Sequence, residues 1–520
     1  MTADLTSLYV ILGYLGLLIG LGLFAKAVSR GTSSDYFVAN RSVGAFLLLM
    51  SVFGTTMTAF ALVGSTGKAF DSGIGVYGLM ASSSGVIHSL VFFVVGIRLW
   101  AIGKRYDYVT QIQFFRARFD SSFLGSLLFP ILVALVIPYL LIGLLGAGAV
   151  VRGVTLGMFP EAFAGIPNPR TGAMMFVGSV PPWLTGLVIC GVVLFYITLG
   201  GLRGAVWANT FQTIVFMITG VTAFFLISNK LGGLEAATQK VLEASPKHLA
   251  REGLIGRGQF LSYGLVPLSV GMFPHLFQHW LTAKSAKTFR LSIICHPIFI
   301  MIVWVPCILI GIWAVGMGIE APGGNSNAVL AKMVGTVLKA PLVSGLLTAG
   351  ILAAIMSSLD SQFVCLGTMF SHDVVLHRTG PDRFSDKQKV ALGRAFIVFI
   401  VAVTYTLTLF PPPHIFDLAV WCFSGFASLF PLVLAALYWR RVTKHGAIAS
   451  VLVMAATWGV LFYRGLIAPA MAGTPSDGDY LVFGMMPVVV IFAATAATLV
   501  LVSLITTPPR KEVVDRYFMS

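Results

Sequence analysis

The sequence predicts an all-α, polytopic membrane protein of about 13 transmembrane helices, with a core of two five-helix repeats of inverted topology. Three observations predict it. Of 520 residues, 57% are hydrophobic and only 10% are charged, against about 25% charged in soluble domains. Apolar runs of about 20 residues, the length of helix that crosses a bilayer core, recur along the whole chain. Two of those runs, five apart, are interrupted by glycine, threonine and proline at mid-membrane depth, where a lipid-facing helix takes Leu and Ile.

The runs centre in order on Leu18, Phe53, Val91, Ala134, Val193, Met217, Leu268, Val303, Ile355, Phe399, Ala427, Val453 and Ala493. The first follows Met1-Thr2-Ala3-Asp4, which lacks the basic segment of a cleavable signal, so it is expected to stay as an anchor. In the second, Phe53-Gly54-Thr55-Thr56-Met57-Thr58-Ala59 marks a break. Gly200-Gly201 falls between the fifth and sixth, and the seventh breaks around Ser262 to Pro267, Gly271 and Pro274. The ninth, from about Leu342 to Val375, carries polar residues treated below. Small residues in a membrane helix can serve close packing alone, but two interruptions at this separation favour a site at the bilayer midplane. The chain thus reads as one integral membrane domain, 1–520: first helix and loop 1–42, first repeat 43–228, second repeat 259–439, C-terminal helices and tail 440–520.

A net charge of +15 could suggest nucleic acid, but the basic residues sit in loops and form no aromatic-interleaved stripe. They report orientation instead. Lys26, Arg30 and Arg41, then Arg98 to Arg118, Lys284 to Arg290, Arg378 to Lys387 and Arg440 to Lys444 fall in alternate loops, which the positive-inside rule makes cytoplasmic. The N-terminus is then outside and the C-terminus inside; the loop from Lys230 to Arg257, basic yet external, is the one exception. Cys190, Cys295, Cys307, Cys365 and Cys422 lie in apolar runs without ligand spacing and read as packing residues. His88, His275, His279 and His296 read as hydrogen-bonded bundle residues, without zinc spacing.

The ninth run reads Ala353-Ala354-Ile355-Met356-Ser357-Ser358-Leu359-Asp360-Ser361-Gln362. At helical spacing Ala354, Ser357, Ser358 and Ser361 share a face with Asp360 at its edge. Hydroxyls and a carboxylate at that depth line a cavity, meet an ion or pair with another helix. Hydroxyl and carbonyl oxygens are the hard ligands a desolvated Na⁺ needs. Asp360 either pairs with Lys, Arg or His at a packing face or takes part in cation binding.

Four motifs in order, Asp35-Tyr36-Phe37-Val38-Ala39-Asn40-Arg41, Gly200-Gly201-Leu202-Arg203-Gly204-Ala205-Val206-Trp207, Ala353 to Gln362, and Tyr438-Trp439-Arg440-Arg441-Val442-Thr443-Lys444-His445-Gly446-Ala447, give a chain that resembles the sodium:solute symporter family, in particular its bacterial proline, pantothenate and monocarboxylate transporters. The resemblance implies a leucine-transporter-type inverted-repeat fold and Na⁺ coupling. It carries the principal Na⁺ site to Gly54, Met57, Ala354, Ser357 and Ser358. Thr56 and Thr58 stand where similar proline transporters have a carboxylate and a hydroxyl. The Asp of a second Na⁺ site becomes Asn209, leaving Asp360, Ser361 and Thr58 as second-cation or coupling residues. The implied solute contacts are Thr56, Phe60, Ser83, Tyr263, Phe273, Trp421 and Ser424. Ala61, where sugar-transporting relatives are polar, makes the pocket too apolar for a sugar. A carboxylate suits the N-terminal end of a broken half-helix.

The expected function is Na⁺-coupled import of a small, carboxylate-bearing organic solute across a bacterial inner membrane, with the solute, Na⁺ and the bilayer as partners and no nucleic acid. H⁺ coupling on the same fold is the alternative. An intramembrane enzyme has less behind it, since the chain has no Gly-x-Ser-x-Gly elbow and no Glu-x-x-His pair.

Overall fold

In the computed structural model, which describes residues 4–28, 32–167, 174–251, 253–321, 325–380, 383–410, 414–472 and 479–518, ten helices are long and apolar enough to cross a bilayer, and two bent pairs raise the number to twelve. The thirteenth span is hidden inside Pro182–Lys230. Its 49 residues would reach about 74 Å if straight, against a hydrocarbon core of about 30 Å. The chain folds back at Gly201, whose φ of 54° and ψ of −147° are not helical. A Cβ there would sit 2.7 Å from Cγ of Tyr36, so glycine is required on conformational and steric grounds. Met1 to Ala3 and Arg30 lie outside the described residues.

In chain order the helices are α1 (Thr6–Val28), α2 (Ser33–Val38), α3 (Ala45–Thr56), α4 (Phe60–Ser72), α5 (Gly75–Arg105), α6 (Gln111–Arg118), α7 (Ser122–Val154), α8 (Pro182–Lys230), α9 (Leu234–Ala244), α10 (Arg257–Gly271), α11 (Pro274–Leu281) and α12 (Ala286–Gly316). There follow α13 (Ser326–Leu338), α14 (Pro341–Thr379), α15 (Asp386–Leu407), α16 (Ile415–Tyr438), α17 (Lys444–Met471), α18 (Val488–Ile505) and α19 (Lys511–Asp515). The one described sheet pairs Ile166–Pro167 antiparallel to Met174–Met175.

The two breaks stand where composition placed them. α3 and α4 meet at 59°, α10 and α11 at 47°. Met57 is extended (φ −89°, ψ 103°), and so is Phe273 (φ −64°, ψ 115°), just before Pro274 opens α11. Proline fits a first helical turn, which has no use for its missing N–H. α14 is the core of the bundle, buried almost throughout and packed against α1, α3, α7, α8, α11 and α15. Small residues let its neighbours approach: a Cβ on Gly345 would lie 2.8 Å from Cα of Ser7. α17 and α18 pack on each other at the periphery.

The basic loops gather at one end of the bundle. Arg41 pairs with Asp107 at 2.8 Å, Arg116 donates to the carbonyl of Asp373, and Arg440 donates to the carbonyl of Phe518 at 2.7 Å. Arg118, between spans, donates to the Ala436 and Trp439 carbonyls, and burial lowers its guanidinium pKa to about 10. The long loop after α8 sits at the other end, where the amide of Ile74 donates to the carbonyl of His248. Lys68 and Asp479 pair there at 2.7 Å.

Candidate cation and solute site

Ending α3 at Thr56 strands the carbonyls of its last turn, because a helix provides no partner for its final four. Phe53 O is used by the Met57 amide (3.0 Å) and the Thr56 hydroxyl (2.8 Å). Gly54 O reaches across to α14, where Oγ of Ser357 lies 2.8 Å away. The same Oγ is 2.8 Å from the carbonyl of Ala354. Two main-chain oxygens and one hydroxyl, from segments 303 residues apart, thus converge in the bundle centre. Ser358 Oγ donates back to Ile355 O at 3.0 Å. Gly54, Met57, Ala354, Ser357 and Ser358 are all buried. A Cβ on Gly54 would lie 2.5 Å from Oγ1 of Thr213 on α8, so the glycine lets the broken segment seat against that helix. Thr58 serves the break itself: its Oγ1 accepts the Phe60 amide at 3.0 Å, capping the start of α4.

Asp360 is fully buried and, among the described residues, has no basic side chain as a hydrogen-bond partner. Tyr196 donates to its Oδ2 at 3.2 Å and Ser361 to its Oδ1 at 3.1 Å. Of the two readings open for Asp360, pairing with Lys, Arg or His is not the one its described hydrogen bonds show. Ser361 Oγ also accepts from Nδ2 of Asn209 at 2.8 Å and lies 2.9 Å from Nε2 of His279. Asn209 Oδ1, both amide atoms of Gln212 and the hydroxyl of Tyr14 are buried without a hydrogen-bond partner among the described residues. Four helices, α1, α8, α11 and α14, thus place polar groups around one carboxylate.

Between the two breaks lies a small cavity. Its walls are aromatic, from Phe60, Tyr139, Tyr263, Phe273, Trp304 and Phe423. Its polar lining is Thr56, Ser84, His88 and Ser269, and among the described residues it has no Asp, Glu, Lys or Arg. Its volume is about 30 Å³, room for roughly two waters. Of the expected contacts, Thr56, Phe60, Tyr263 and Phe273 line it. Ser83 does not: a turn at 81–83 restarts the helix so that Ser84 faces inward instead. Trp421 and Ser424 do not either. Phe423 takes the inward face of α16, and those two line a separate cavity with Asp417, Asp479 and Tyr480. Sequence reasoning missed Ser84, Tyr139 and Trp304 altogether and gave His88 no place in the pocket. The Ser84/His88 spacing of four was the available signal.

A bundle with two broken helices around a desolvated oxygen cluster and an aromatic-walled cavity has the architecture of a secondary transporter. Comparison with known proteins agrees. The model of the sodium:solute symporter family (SSF) matches residues 36–159 and 182–453, and the chain belongs to that family. It is similar to the sodium/pantothenate symporter of Escherichia coli (strain K12), 26% identical over 464 residues that cover 87% of this chain and 89% of that protein. It is also similar to the high-affinity proline transporter PutP of Bacillus subtilis (strain 168), 25% identical over 516 residues, covering 96% and 98%. In fold it resembles a Na⁺-coupled sialic acid symporter in its substrate-bound outward-open state, with a TM-score of 0.73 and 16% identity over 98% of this chain and 99% of that one. MhsT in complex with L-phenylalanine follows at TM-score 0.51 and 14% identity, over 89% and 98%. The fold is that of the leucine-transporter-type symporters.

Proposed function

We propose that this chain is a Na⁺-driven symporter that imports a small, carboxylate-bearing organic solute through a bacterial plasma membrane, N-terminus outside and C-terminus in the cytoplasm. The observation that carries the reading is the 2.8 Å approach of Ser357 Oγ to Gly54 O. Gly54, Met57, Ala354, Ser357 and Ser358 supply carbonyl and hydroxyl oxygens, hard ligands suited to an alkali cation, and none is a side chain that would compete as a counter-ion. Na⁺ acts as the coupling ion. By holding α14 to the break in α3 and α4, it would stabilise one arrangement of the bundle and complete the adjoining cavity, so that Na⁺ and solute raise each other's affinity by the same factor.

Asp360 and Ser361, about one turn beyond Ser357 on α14, are the second coupling element in this reading. A carboxylate at membrane depth without a basic partner calls for a bound cation or a proton. Thr58 is assigned to capping α4.

The test is uptake into proteoliposomes under an imposed Na⁺ gradient. Ser357→Ala and Ser358→Ala should raise the Na⁺ concentration for half-maximal uptake at least about tenfold, the effect of about 1.4 kcal/mol, with normal protein abundance. Unchanged Na⁺ activation in both variants refutes the assignment. Uptake driven by a pH gradient in Na⁺-free buffer would assign coupling to H⁺ instead.

A further inference from the structure

Among the described residues one imidazole lines the cavity between the breaks, and its surroundings fix what that imidazole can offer. His88 is buried on α5, with Nδ1 3.0 Å from Nε2 of His296 on α12. His296 is fully buried, and its Nδ1 has no hydrogen-bond partner among the described residues. Two neutral arrangements satisfy the pair. Where His88 donates, the proton of His296 must sit on Nδ1, leaving an N–H unpaired in an apolar interior. Where His296 donates, its Nδ1 carries only a bare lone pair, and His88 holds its proton on Nε2. Orphaned buried N–H groups are the rarer defect, so the second arrangement is favoured. His88 then turns an N–H donor toward the cavity it lines.

Ser84 stands one helical turn before His88 on the same face of α5. Its Oγ lines the same cavity and is buried without a hydrogen-bond partner among the described residues. Two donors one turn apart, at the edge of a cavity otherwise walled by aromatic rings, match the two oxygens of a single carboxylate. Among the described residues the lining has no Lys or Arg for a second anionic group and no Asp or Glu for an ammonium group.

We propose that Ser84 and His88 are the carboxylate-recognition pair of the transported solute, that the solute is a small monocarboxylate with an apolar body, and that His296 is a positioning residue holding the His88 tautomer. This rests on the symport reading above. The cavity must widen to admit such a solute, and movement of the half-helices at Met57 and Phe273 would supply that.

The experiment is thermal unfolding of the purified full chain in choline chloride, in NaCl, and in NaCl with propionate, pyruvate, phenylacetate, L-proline, propionamide or phenylacetamide. NaCl alone should raise Tm, and at least one of the first three acids should raise it further, while its amide does not. Ser84→Ala and His88→Ala should keep the Na⁺ shift and lose the acid increment. His88→Gln, which retains a donor, should keep part of it. His296→Ala should weaken the acid about tenfold and His296→Gln should restore it, a rescue that a purely packing role would not give. An acid increment that survives in both Ser84→Ala and His88→Ala overturns the proposal. So does a wild-type protein that responds to Na⁺ but to none of the three acids, or only to L-proline or the amides. Absence of the Na⁺ shift itself strikes at the symport reading. If His88→Ala does not fold, Ser84→Ala, the loss of one hydroxyl, decides the matter.

Discussion

The hydroxyl of Tyr196 donates to Oδ2 of Asp360 across 3.2 Å, joining the first half of α8 to α14 through a carboxylate with no basic hydrogen-bond partner among the described residues. Tyr196→Phe should cost about 1–3 kcal/mol, the penalty for leaving a buried acceptor unsatisfied, and thermal unfolding reads it. Asp360→Asn keeps the shape but removes the charge. If Asp360 couples ion and solute, this variant should still exchange solute across proteoliposomes yet fail to accumulate it against a gradient; normal accumulation would remove Asp360 from the coupling scheme.

Gly54 offers a test by second-site rescue. Gly54→Ala drives a Cβ to within 2.5 Å of Thr213 Oγ1, displacing the carbonyl that faces Ser357 and costing about 1–3 kcal/mol through overpacking. Na⁺ affinity should fall. Thr213→Ala in the same chain removes the obstructing hydroxyl and should recover part of it, giving a coupling energy above about 0.5 kcal/mol in a double-mutant cycle.

At the basic end of the bundle, Arg203 and Asp35 pair at 2.6 Å, with the carboxylate 1% exposed. Removing one member of a buried pair costs about 3–5 kcal/mol because the other charge is stranded. Asp35→Asn should therefore destabilise the detergent-solubilised protein strongly, and Asp35→Glu much less. Equal loss from both would show that shape, not charge, matters there.

Gly201 should tolerate no side chain. Gly201→Ala meets both an unfavourable backbone conformation, about 1–3 kcal/mol, and the ring of Tyr36. Trimming the ring with Tyr36→Ala should not restore folding, because the backbone strain remains. Monodisperse protein by size-exclusion chromatography in the double variant would contradict this.

Much of this molecule was legible in the sequence because the membrane imposes its constraints one segment at a time. Length and polarity alone located the spans, and Gly54 to Thr58 and Pro274 announced the breaks because few residues tolerate them. Ser357 could be paired with Gly54 only through family resemblance; spacing within one segment says nothing of a partner 303 residues away. The solute contacts were the least legible. Ser84 in place of Ser83 is a one-residue shift in helical phase, set by a turn at 81–83 that Ser82-Ser83-Ser84-Gly85 signals as a break without fixing which serine turns inward. Trp421 and Ser424 share a face of α16 with Asp417, and that face meets Asp479 and Tyr480 rather than the breaks, a pairing that spacing within one helix does not show.

The last described residues carry a practical consequence. The ring of Phe518 lies between the guanidinium groups of Arg98, Arg118 and Arg440, each within 5.6 Å of its centre, while the hydroxyls of Tyr517 and Tyr108 meet at 2.7 Å. An affinity tag or fluorescent protein fused directly behind this tail would pull on contacts with α5, α6 and the end of α16, so a flexible spacer belongs between them.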